Sequence, residues 1–258
     1  MGQLRLTLVQ TDILWEDIPG NLDKLNKITD KIQDTDLIIL PEAFPTGFTM
    51  DVEKFSEYPD GRSISWMQEK AFKKNMAITG SLFVKEENAY YNRLYFVKPD
   101  GSTYTYDKRH LFAIGGESHK LSRGSSKTII EYKGWKILPL ICYDIRFPVW
   151  SRFRMDYDLL IYVANWPGVR RDVWNTLLKA RAIENLSYVA GVNRLGIDGR
   201  DIIYTGDSNV FDFKGESQCE RTKDNDSTFT TTINKYSLET FRHKFPVHLD
   251  GDNFTISE

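Results

Sequence analysis

The sequence predicts an α/β domain of layered sheets and helices, on three observations. Apolar strand-like segments alternate with amphipathic helical segments from the N-terminus onwards. The middle of the chain is richer in strands, which short turns such as the one at 99–102 separate, and this indicates hairpins and a mixed sheet. The length of 258 residues lies near the upper limit for one hydrophobic core, so we expect a single domain over residues 1–258.

The elements of the N-terminal half follow from hydrophobic periodicity. Residues 4–10 form an apolar strand, and residues 36–40 form a short continuous apolar run, typical of a strand buried on both faces. Between them, apolar residues recur at spacings of three and four, as on one face of an amphipathic helix, namely Leu22, Leu25, Ile28 and Ile32. Further along we predict a helix over 63–74 and strands over 77–84, 90–98 and 103–106.

The C-terminal half repeats this alternation. Residues 157–164 form an apolar strand, and residues 172–185 are predicted to form a helix. The remaining predicted elements are strands over 128–132, 136–141, 187–192, 208–213 and 228–233, and a short closing helix near 237–243. The pattern predicts the elements but does not determine their order in a sheet.

The composition excludes several classes of function. The chain is 41% apolar and 27% charged, with a formal net charge of −2, so we expect neither a nucleic-acid nor a membrane partner. No apolar run approaches the roughly 20 residues of a membrane span. The N-terminus lacks the basic start and small-residue cleavage site of a signal peptide. We therefore expect a cytoplasmic protein whose two cysteines are reduced thiols.

The segment 137–148 carries the most informative chemistry. A buried strand leads to Cys142, which lies in a turn with Asp144 and Arg146, and Pro148 is well placed to open a helix. A thiol attacks as the thiolate, which positive charge or a nearby base favours. An isolated cysteine at a strand end is more often a core residue, so its assignment as a nucleophile depends on other segments.

Three charged residues supply that support. Glu42 directly follows a strand too apolar to face solvent, where a carboxylate either pairs with buried donors or acts as an acid/base. Lys108 lies at the end of the strand predicted over 103–106, although most lysines in charged turns are surface residues. Glu117 lies in a glycine-containing loop, where a solvated acid is an equal alternative.

In this order and local setting, Glu42, Lys108 and Cys142 resemble the Glu-Lys-Cys triad of the nitrilase superfamily of carbon–nitrogen hydrolases. The surrounding sequences also match, namely Leu-Pro-Glu-Ala-Phe, Tyr-Asp-Lys-Arg-His-Leu-Phe and Ile-Cys-Tyr-Asp-Ile-Arg-Phe-Pro. The similarity continues through segments at 164–167, 179–185 and 191–196, and covers nearly the whole chain. Within the superfamily the chain is most similar to the omega-amidase branch of bacterial YafV-like amidohydrolases.

The resemblance implies a four-layer αββα sandwich, in which two sheets pack face to face between outer helices. It also implies that Cys142 attacks an amide carbonyl while Glu42 carries protons, and that a thioester forms and is hydrolysed. Lys108 and the backbone N–H of Tyr143 would hold the oxyanion, and Glu117 would orient Lys108 and the substrate. No metal and no organic cofactor is expected.

The residues that bind the substrate are expected around this triad. The resemblance gives Arg146 the role of holding a substrate carboxylate, with a salt bridge to Asp144 as the structural alternative. Phe44, Phe112 and Trp166 flank the triad in the sequence, and we expect them to form walls of the pocket.

Other candidate residues are weaker. A Cys-His dyad between His110 and Cys142 is a second choice for the nucleophile and its base. Cys219 is expected to be a loop thiol without function, and the four histidines lack metal-ligand spacing. The roles of Arg170 and Arg171, in a loop that varies among relatives, are left open.

The expected function is that of an omega-amidase. Its substrate would be a small amide partner, the monoamide of a short 2-oxo dicarboxylic acid such as 2-oxoglutaramate or 2-oxosuccinamate. Hydrolysis of an N-carbamoyl amine or of another aliphatic amide is the alternative among enzymes. A catalytically silent small-molecule-binding protein on the same fold is the alternative of another class. A homodimer is expected, because the family associates through its outer helices.

Overall fold

The computed structural model describes residues 2–219 and 227–256. Within these ranges the strands are β1 (Gln3–Gln10), β2 (Leu37–Ile39), β3 (Ala77–Glu86), β4 (Ala89–Val97), β5 (Thr103–Asp107), β6 (Ile130–Tyr132), β7 (Trp135–Ile141), β8 (Leu159–Ala164), β9 (Tyr188–Asn193), β10 (Leu195–Ile197), β11 (Ile203–Thr205), β12 (Asn209–Phe211) and β13 (Ser227–Asn234). The strands therefore occur along the whole described chain, as the alternating pattern predicts.

Six of the described α-helices lie between these strands, and the seventh follows the last strand. They are α1 (Ile18–Lys31), α2 (Val52–Phe55), α3 (Arg62–Lys74), α4 (Glu117–Lys120), α5 (Pro148–Ser151), α6 (Arg171–Asn185) and α7 (Lys235–Lys244). Short 3₁₀ turns cover Ala113–Gly115, Cys142–Arg146, Gly168–Arg170 and Val247–Asp250. Asp17 caps the N-terminus of helix α1, because its carboxylate accepts a hydrogen bond from the Gly20 N–H at 3.0 Å and so satisfies a free donor of the first turn.

Two mixed sheets carry the fold. The first has the order β13-β1-β2-β3-β4-β5, in which β1, β2 and β3 are parallel and the outer strands are antiparallel. The second has the order β12-β9-β8-β7-β6, with β7, β8 and β9 parallel. Strands β10 and β11 form a separate hairpin. Parallel strands place their carboxyl ends at one edge of each sheet, where ligand sites of α/β proteins commonly lie.

The two sheets pack face to face around one apolar core. Leu6 and Leu94 from the first sheet belong to the same buried cluster as Ile137 and Ile161 from the second. Helices α1 and α3 cover the outer face of the first sheet, and α6 covers the second. Close packing of α6 depends on Gly191, because a Cβ at that position would lie 2.4 Å from a Leu178 methyl group. The predicted four-layer sandwich is therefore confirmed.

The predicted elements are all present, with ends shifted by a few residues. The strand predicted over 208–213 is shorter, because Asp212 Oδ1 accepts hydrogen bonds from the N–H groups of Lys214 and Glu216 and turns the chain after Phe211. The short helices α2 and α4 and the β10–β11 hairpin are additions that the periodicity did not predict, whereas α5 begins at Pro148, as the sequence indicates. Among the described residues, none of the helices combines the length and apolar character that crossing a membrane requires.

Candidate active site

Four buried side chains meet beyond the carboxyl ends of four strands. Glu42 follows β2 by three residues, and Lys108, Cys142 and Asn165 directly follow β5, β7 and β8. Because β2 and β5 belong to the first sheet and β7 and β8 to the second, the cluster lies where the ends of the two sheets meet. The structure thus brings together Glu42, Lys108 and Cys142, which are distant in the sequence.

The Lys108 ammonium is held between two carboxylates. Its Nζ lies 2.9 Å from Glu42 Oε1, and 2.9 and 2.8 Å from the two oxygens of Glu117. All three side chains are excluded from solvent. Burial alone would lower the pKa of Lys108, but the negative charges of Glu117 and Glu42 outweigh burial and raise it above its ordinary value. Lys108 therefore stays positively charged.

The two carboxylates are fixed by further donors. Asn92 Nδ2 donates to Glu42 Oε1 at 2.8 Å, and the backbone N–H of Asn165 donates to Glu42 Oε2 at 2.8 Å. The backbone N–H of Phe112 donates to Glu117 Oε2 at 2.6 Å. Burial raises the pKa of Glu117 above its ordinary value, and the Lys108 charge opposes that effect. The orientation of both carboxylates is therefore set by the fold before any ligand binds.

Cys142 lies at a turn with unusual backbone geometry. Its φ of 41° is in the left-handed region, which costs free energy for a residue with a side chain. Asp144 holds this turn, because its carboxylate accepts hydrogen bonds from the Ile141 N–H at 3.0 Å and the Tyr106 hydroxyl at 2.8 Å. The strained turn projects the thiol beyond the strand end, towards Glu42 and Lys108.

The surroundings of the Cys142 thiol favour its protonated form. Burial raises its pKa well above the ordinary value, and the charge of Glu42 and a hydrogen bond with Glu42 act in the same direction. Lys108 opposes the shift but does not outweigh it. Any reaction in which this sulfur attacks a substrate would therefore need a proton acceptor, and Glu42 is the carboxylate in contact with the thiol.

His110 is engaged away from the thiol. Its Nδ1 lies 2.8 Å from Asp144 Oδ1, and its ring stacks on Phe147 at 3.8 Å between centroids. His110 is not among the residues of the cavity wall next to Cys142. The geometry therefore disfavours the Cys-His dyad. It also shows that the partners of the Asp144 carboxylate are Tyr106, His110 and Ile141, not Arg146.

A cavity opens directly above Cys142. Its wall consists of Phe48, Lys108, Phe112, Gly115, Cys142, Tyr143, Arg146, Asn165, Trp166, Pro167, Arg170, Asp198, Arg200, Ile202 and Tyr204. The Arg146 guanidinium lies over the Trp166 ring, 4.9 Å from its centroid, and the Phe112 and Tyr143 rings are 5.0 Å apart. Of the expected pocket residues, Arg146, Phe112 and Trp166 thus line the cavity.

Phe44 does not line it, contrary to the expectation. Its side chain is 1% exposed and belongs to the apolar cluster under the outer helices, where its ring lies 5.9 Å from that of Trp66. The backbone N–H of Phe44 bonds to the Ser81 carbonyl, which ties this segment to β3. The ring therefore fills space over Gly80, beside the sheet.

Other residues of the site carried weak sequence signals. Asn92 is a buried amide inside β4, next to Arg93, and a polar residue within a predicted strand was the available hint. Asn165 lies in the Ala-Asn-Trp-Pro segment, but its contact with Glu42 was not predicted. Tyr204 and Asp198 come from the small hairpin, where the Tyr204 hydroxyl donates to Asp198 Oδ2 at 2.9 Å. Cys219 is half-buried and, like Cys142, is a free thiol.

The sandwich and the buried Glu-Lys-Glu cluster beside a cysteine define the class of carbon–nitrogen hydrolases. The family model for carbon-nitrogen hydrolases matches residues 5–243, and the chain belongs to this family. Within the described ranges, no group of three or more His, Cys, Asp or Glu side chains is arranged to hold a metal ion.

Similarity to individual relatives indicates the branch of the family to which the chain is related. The chain is 41% identical to omega-amidase YafV of Yersinia enterocolitica over 99% of its length and 100% of the relative. It is 35% identical to the 2-oxoglutaramate amidase of Bacillus subtilis, covering 83% of this chain and 85% of that one. The crystal structure of XC1258 from Xanthomonas campestris, a CN-hydrolase superfamily protein with an arsenic adduct in its active site, superposes with a TM-score of 0.96 at 42% identity, covering 100% of both chains. The predicted enzyme class, a hydrolase of carbon–nitrogen bonds in linear amides, and the omega-amidase branch are confirmed.

Proposed function

We propose that the protein is an omega-amidase that hydrolyses the terminal amide of a 2-oxo dicarboxylic acid monoamide, releasing ammonia. The observation that carries this proposal is a buried thiol beside the Glu42–Lys108–Glu117 cluster, at the base of a cavity with arginines in its wall. The relatives named omega-amidase and 2-oxoglutaramate amidase support the choice of substrate.

The first step forms the bond between Cys142 and the substrate. Glu42 takes the thiol proton as the sulfur attacks the amide carbonyl carbon, so no free thiolate has to persist in the buried site. The carbonyl oxygen becomes an oxyanion, which Lys108 and the backbone N–H of Tyr143 stabilise. Both oxygens of Glu117 lie close enough to share one N–H of Lys108, which leaves another N–H for the oxyanion.

The second step releases ammonia and then the acid. Glu42 returns its proton to the amide nitrogen, the carbon–nitrogen bond breaks, and the acyl group remains on Cys142 as a thioester. Glu42 next takes a proton from water, whose oxygen attacks the thioester carbon. The carbon–sulfur bond breaks, the thiol regains the proton, and the carboxylic acid leaves. Glu117 carries no proton in this sequence and instead fixes the position of Lys108.

Arg146 is proposed to bind the carboxylate of the substrate. Its guanidinium lies on the Trp166 ring, which leaves its N–H edges available for two parallel charge-assisted hydrogen bonds. Arg146 is four residues from Cys142, in the same 3₁₀ turn, so the distance between the bound carboxylate and the sulfur is limited. Such a site prefers a short amide with a carboxylate at its far end.

The proposal is tested by measuring ammonia release from a panel of amides. The panel contains 2-oxosuccinamate, 2-oxoglutaramate, succinamate, an N-carbamoyl amino acid and the neutral amide propionamide. We expect the highest kcat/KM for the two oxo-acid monoamides and slow turnover of propionamide. A higher kcat/KM for the N-carbamoyl compound would show that the protein is an N-carbamoyl hydrolase and not an omega-amidase. No turnover of any compound would favour a silent binding protein.

Two further expectations stay proposals. We propose that the protein acts as a homodimer, as the family resemblance implies, and Ile183 on α6 and Val149 on α5 are exposed apolar side chains that such an interface would cover. We also propose a cytoplasmic location, where a reducing environment keeps Cys142 a thiol. Analytical ultracentrifugation tests the first proposal, and cell fractionation tests the second.

A further inference from the structure

The cavity wall contains more positive charge than one carboxylate needs. Arg146, Arg170 and Arg200 all line it, in addition to the paired Lys108. Asp198 is the acid in this wall, and its oxygens are already engaged. Oδ1 accepts from the N–H groups of Arg200 and Ile202, and Oδ2 accepts from the hydroxyl of Tyr204. The arginines therefore give the cavity a net positive wall.

Arg170, like Arg146, is held in a defined position by its contacts. The Trp166 indole N–H donates to the Arg170 carbonyl at 2.8 Å, and the Arg170 guanidinium lies over the Phe112 ring, 5.8 Å from its centroid. The backbone N–H of Phe112 is in turn bound by Glu117. Arg170 is thus tied on one side to the aromatic ring beneath Arg146 and on the other to the Glu–Lys–Glu cluster.

Arg200 differs from Arg170 in both respects. It is exposed in the turn between β10 and β11, and its guanidinium lies over Trp15, which does not belong to the cavity wall. Arg170 is half-buried and lies over a ring that does belong to the wall. An arginine stacked on an aromatic ring keeps its planar N–H edges free for a ligand.

We infer that Arg170 determines specificity by recognising the 2-oxo group of the substrate. In a 2-oxo acid the keto oxygen and one carboxylate oxygen are acceptors on adjacent carbon atoms. With Arg146 on the carboxylate, as the proposed function requires, Arg170 supplies the donor for the keto oxygen. A substrate that has the carboxylate but lacks the oxo group leaves this guanidinium without its acceptor, so the enzyme discriminates between the two.

The test compares two substrates that differ only in the oxo group, 2-oxosuccinamate and succinamate. Arg170→Gln should lower kcat/KM for 2-oxosuccinamate by about 10–100-fold, the range for a lost hydrogen bond to a charged group, with most of the loss in KM. Hydrolysis of succinamate and propionamide should change less than about 3-fold, because the contact is absent in both. Arg170→Lys keeps the charge but not the planar fork, and should show a smaller loss in the same direction.

Arg171→Gln is the matched control. Arg171 is the adjacent residue, its guanidinium pairs with Asp207 at 2.7 Å, and it is not part of the cavity wall. This variant should keep the ratio of kcat/KM for 2-oxosuccinamate to that for succinamate. Melting curves and propionamide turnover show whether each variant folds. If Arg170→Gln does not fold, Arg170→Lys carries the comparison.

The possible failures are distinguishable. If the wild type prefers 2-oxosuccinamate and both Arg170 variants keep that preference, the role of Arg170 is overturned while the proposed function stands. If Arg170→Gln reduces turnover of both carboxylate substrates equally, Arg170 binds the carboxylate and not the oxo group, and the inference is wrong. If the wild type does not prefer 2-oxosuccinamate, the proposed function and the inference fail together.

Discussion

The Lys108 ammonium donates to both carboxylate oxygens of Glu117, at 2.9 and 2.8 Å, in a site that excludes solvent. With Glu42 at 2.9 Å, the cluster contains two carboxylates and one cation. Removing one partner of a buried ionic cluster leaves an uncompensated charge, which typically costs about 3–5 kcal/mol. Substitutions in this cluster are therefore expected to affect both turnover and stability, and the two effects have to be measured separately.

Substitution of Cys142 tests the nucleophile. Cys142→Ala should retain the fold and lose turnover to the assay background, because no other group can form the thioester. Cys142→Ser should be nearly as inactive, since Glu42 is a weak base for an alcohol. Ammonia release measures the loss, and mass spectrometry of enzyme mixed with substrate should detect the acyl adduct in the wild type alone.

Cys219→Ser is the matched control for this thiol. Cys219 is half-buried, far along the chain from the cluster, and it does not line the cavity. Activity should stay almost unchanged in this variant. Full activity in Cys142→Ala would end the assignment of Cys142 as nucleophile.

Lys108→Met tests the oxyanion donor. The methionine keeps most of the side-chain volume but removes the ammonium, and loss of one such donor typically lowers kcat by about 10²–10³-fold. The two carboxylates then face each other without a cation, so the melting temperature should fall as well. Initial rates measured over a range of 2-oxosuccinamate concentrations up to saturation give kcat and KM separately. A change in KM alone would make Lys108 a binding residue.

Glu117→Gln tests whether the second glutamate orients the lysine. The amide can still accept the hydrogen bond from the Phe112 N–H, so the local backbone should persist. Lys108 keeps Glu42 as a counterion but loses the carboxylate that holds its ammonium from the other side, so we expect kcat to fall while the fold is retained. Glu53→Gln, on the exposed surface where Glu53 pairs with Lys120, is the control and should be neutral. Unchanged kcat in Glu117→Gln would remove Glu117 from the mechanism.

Two main residues of the cluster were predictable because they lie after buried strands, Glu42 three residues after β2 and Cys142 directly after β7. An apolar run followed by a charged residue or a thiol is visible in the sequence, and the family resemblance joined Glu42, Lys108 and Cys142. The sheet order, which makes these strand ends neighbours, comes from long-range pairing and was not predictable from periodicity. The same holds for Asn92, since the sequence predicts the β4–β5 hairpin but does not show that β4 brings this amide to Glu42, which follows β2.

The position of Phe44 could not be predicted from the sequence. It lies only two residues after Glu42, so closeness in sequence suggested a pocket wall. In an irregular segment the direction of a side chain depends on backbone hydrogen bonds, here the bond from the Phe44 N–H to Ser81, and no periodicity reports it. Tyr204 lies far from the cluster in the sequence, and only the β10–β11 hairpin brings it to the cavity.

The pH dependence of stability tests the protonation state of Cys142. The folded thiol has a raised pKa, whereas an unfolded thiol ionises near pH 8.5. Below about pH 8.5 the thiol is protonated in both the folded and the unfolded chain, and its contribution to the free energy of unfolding does not vary with pH. Above it, only the unfolded chain releases the proton, so the free energy of unfolding falls by about 1.4 kcal/mol per pH unit until the folded pKa is reached.

The comparison with Cys142→Ala isolates this effect. All other groups that titrate at alkaline pH are present in both proteins, so the difference in unfolding free energy follows the thiol. Urea unfolding at several pH values between 8 and 10.5 should show the wild type losing stability relative to the alanine variant. A difference that does not vary with pH would mean that the thiol has the same pKa in the folded and the unfolded chain. A wild type that gains stability relative to the alanine variant as the pH rises towards 8.5 would mean that the folded protein holds a thiolate, and Glu42 would not be needed to take the proton.

Arg146→Lys tests the proposed carboxylate site. Lysine keeps the positive charge but cannot form the two parallel hydrogen bonds of a guanidinium. The kcat/KM for succinamate and for 2-oxosuccinamate should fall, whereas the slow turnover of neutral propionamide should be unchanged. The wild-type preference for the charged over the neutral amide should narrow by about 1.5–3 kcal/mol, the usual contribution of a hydrogen bond to a charged group.

The structural alternative predicts a different result. Arg146 would then stabilise the turn that carries Cys142. Its replacement would lower kcat/KM equally for all substrates and would also lower the melting temperature. The structure disfavours this role, because the Asp144 carboxylate bonds to Tyr106, His110 and Ile141 and the Arg146 guanidinium lies over Trp166. Equal losses on 2-oxosuccinamate and propionamide would nevertheless assign Arg146 to the turn, and the proposed preference for a carboxylate would lose its main support in the cavity.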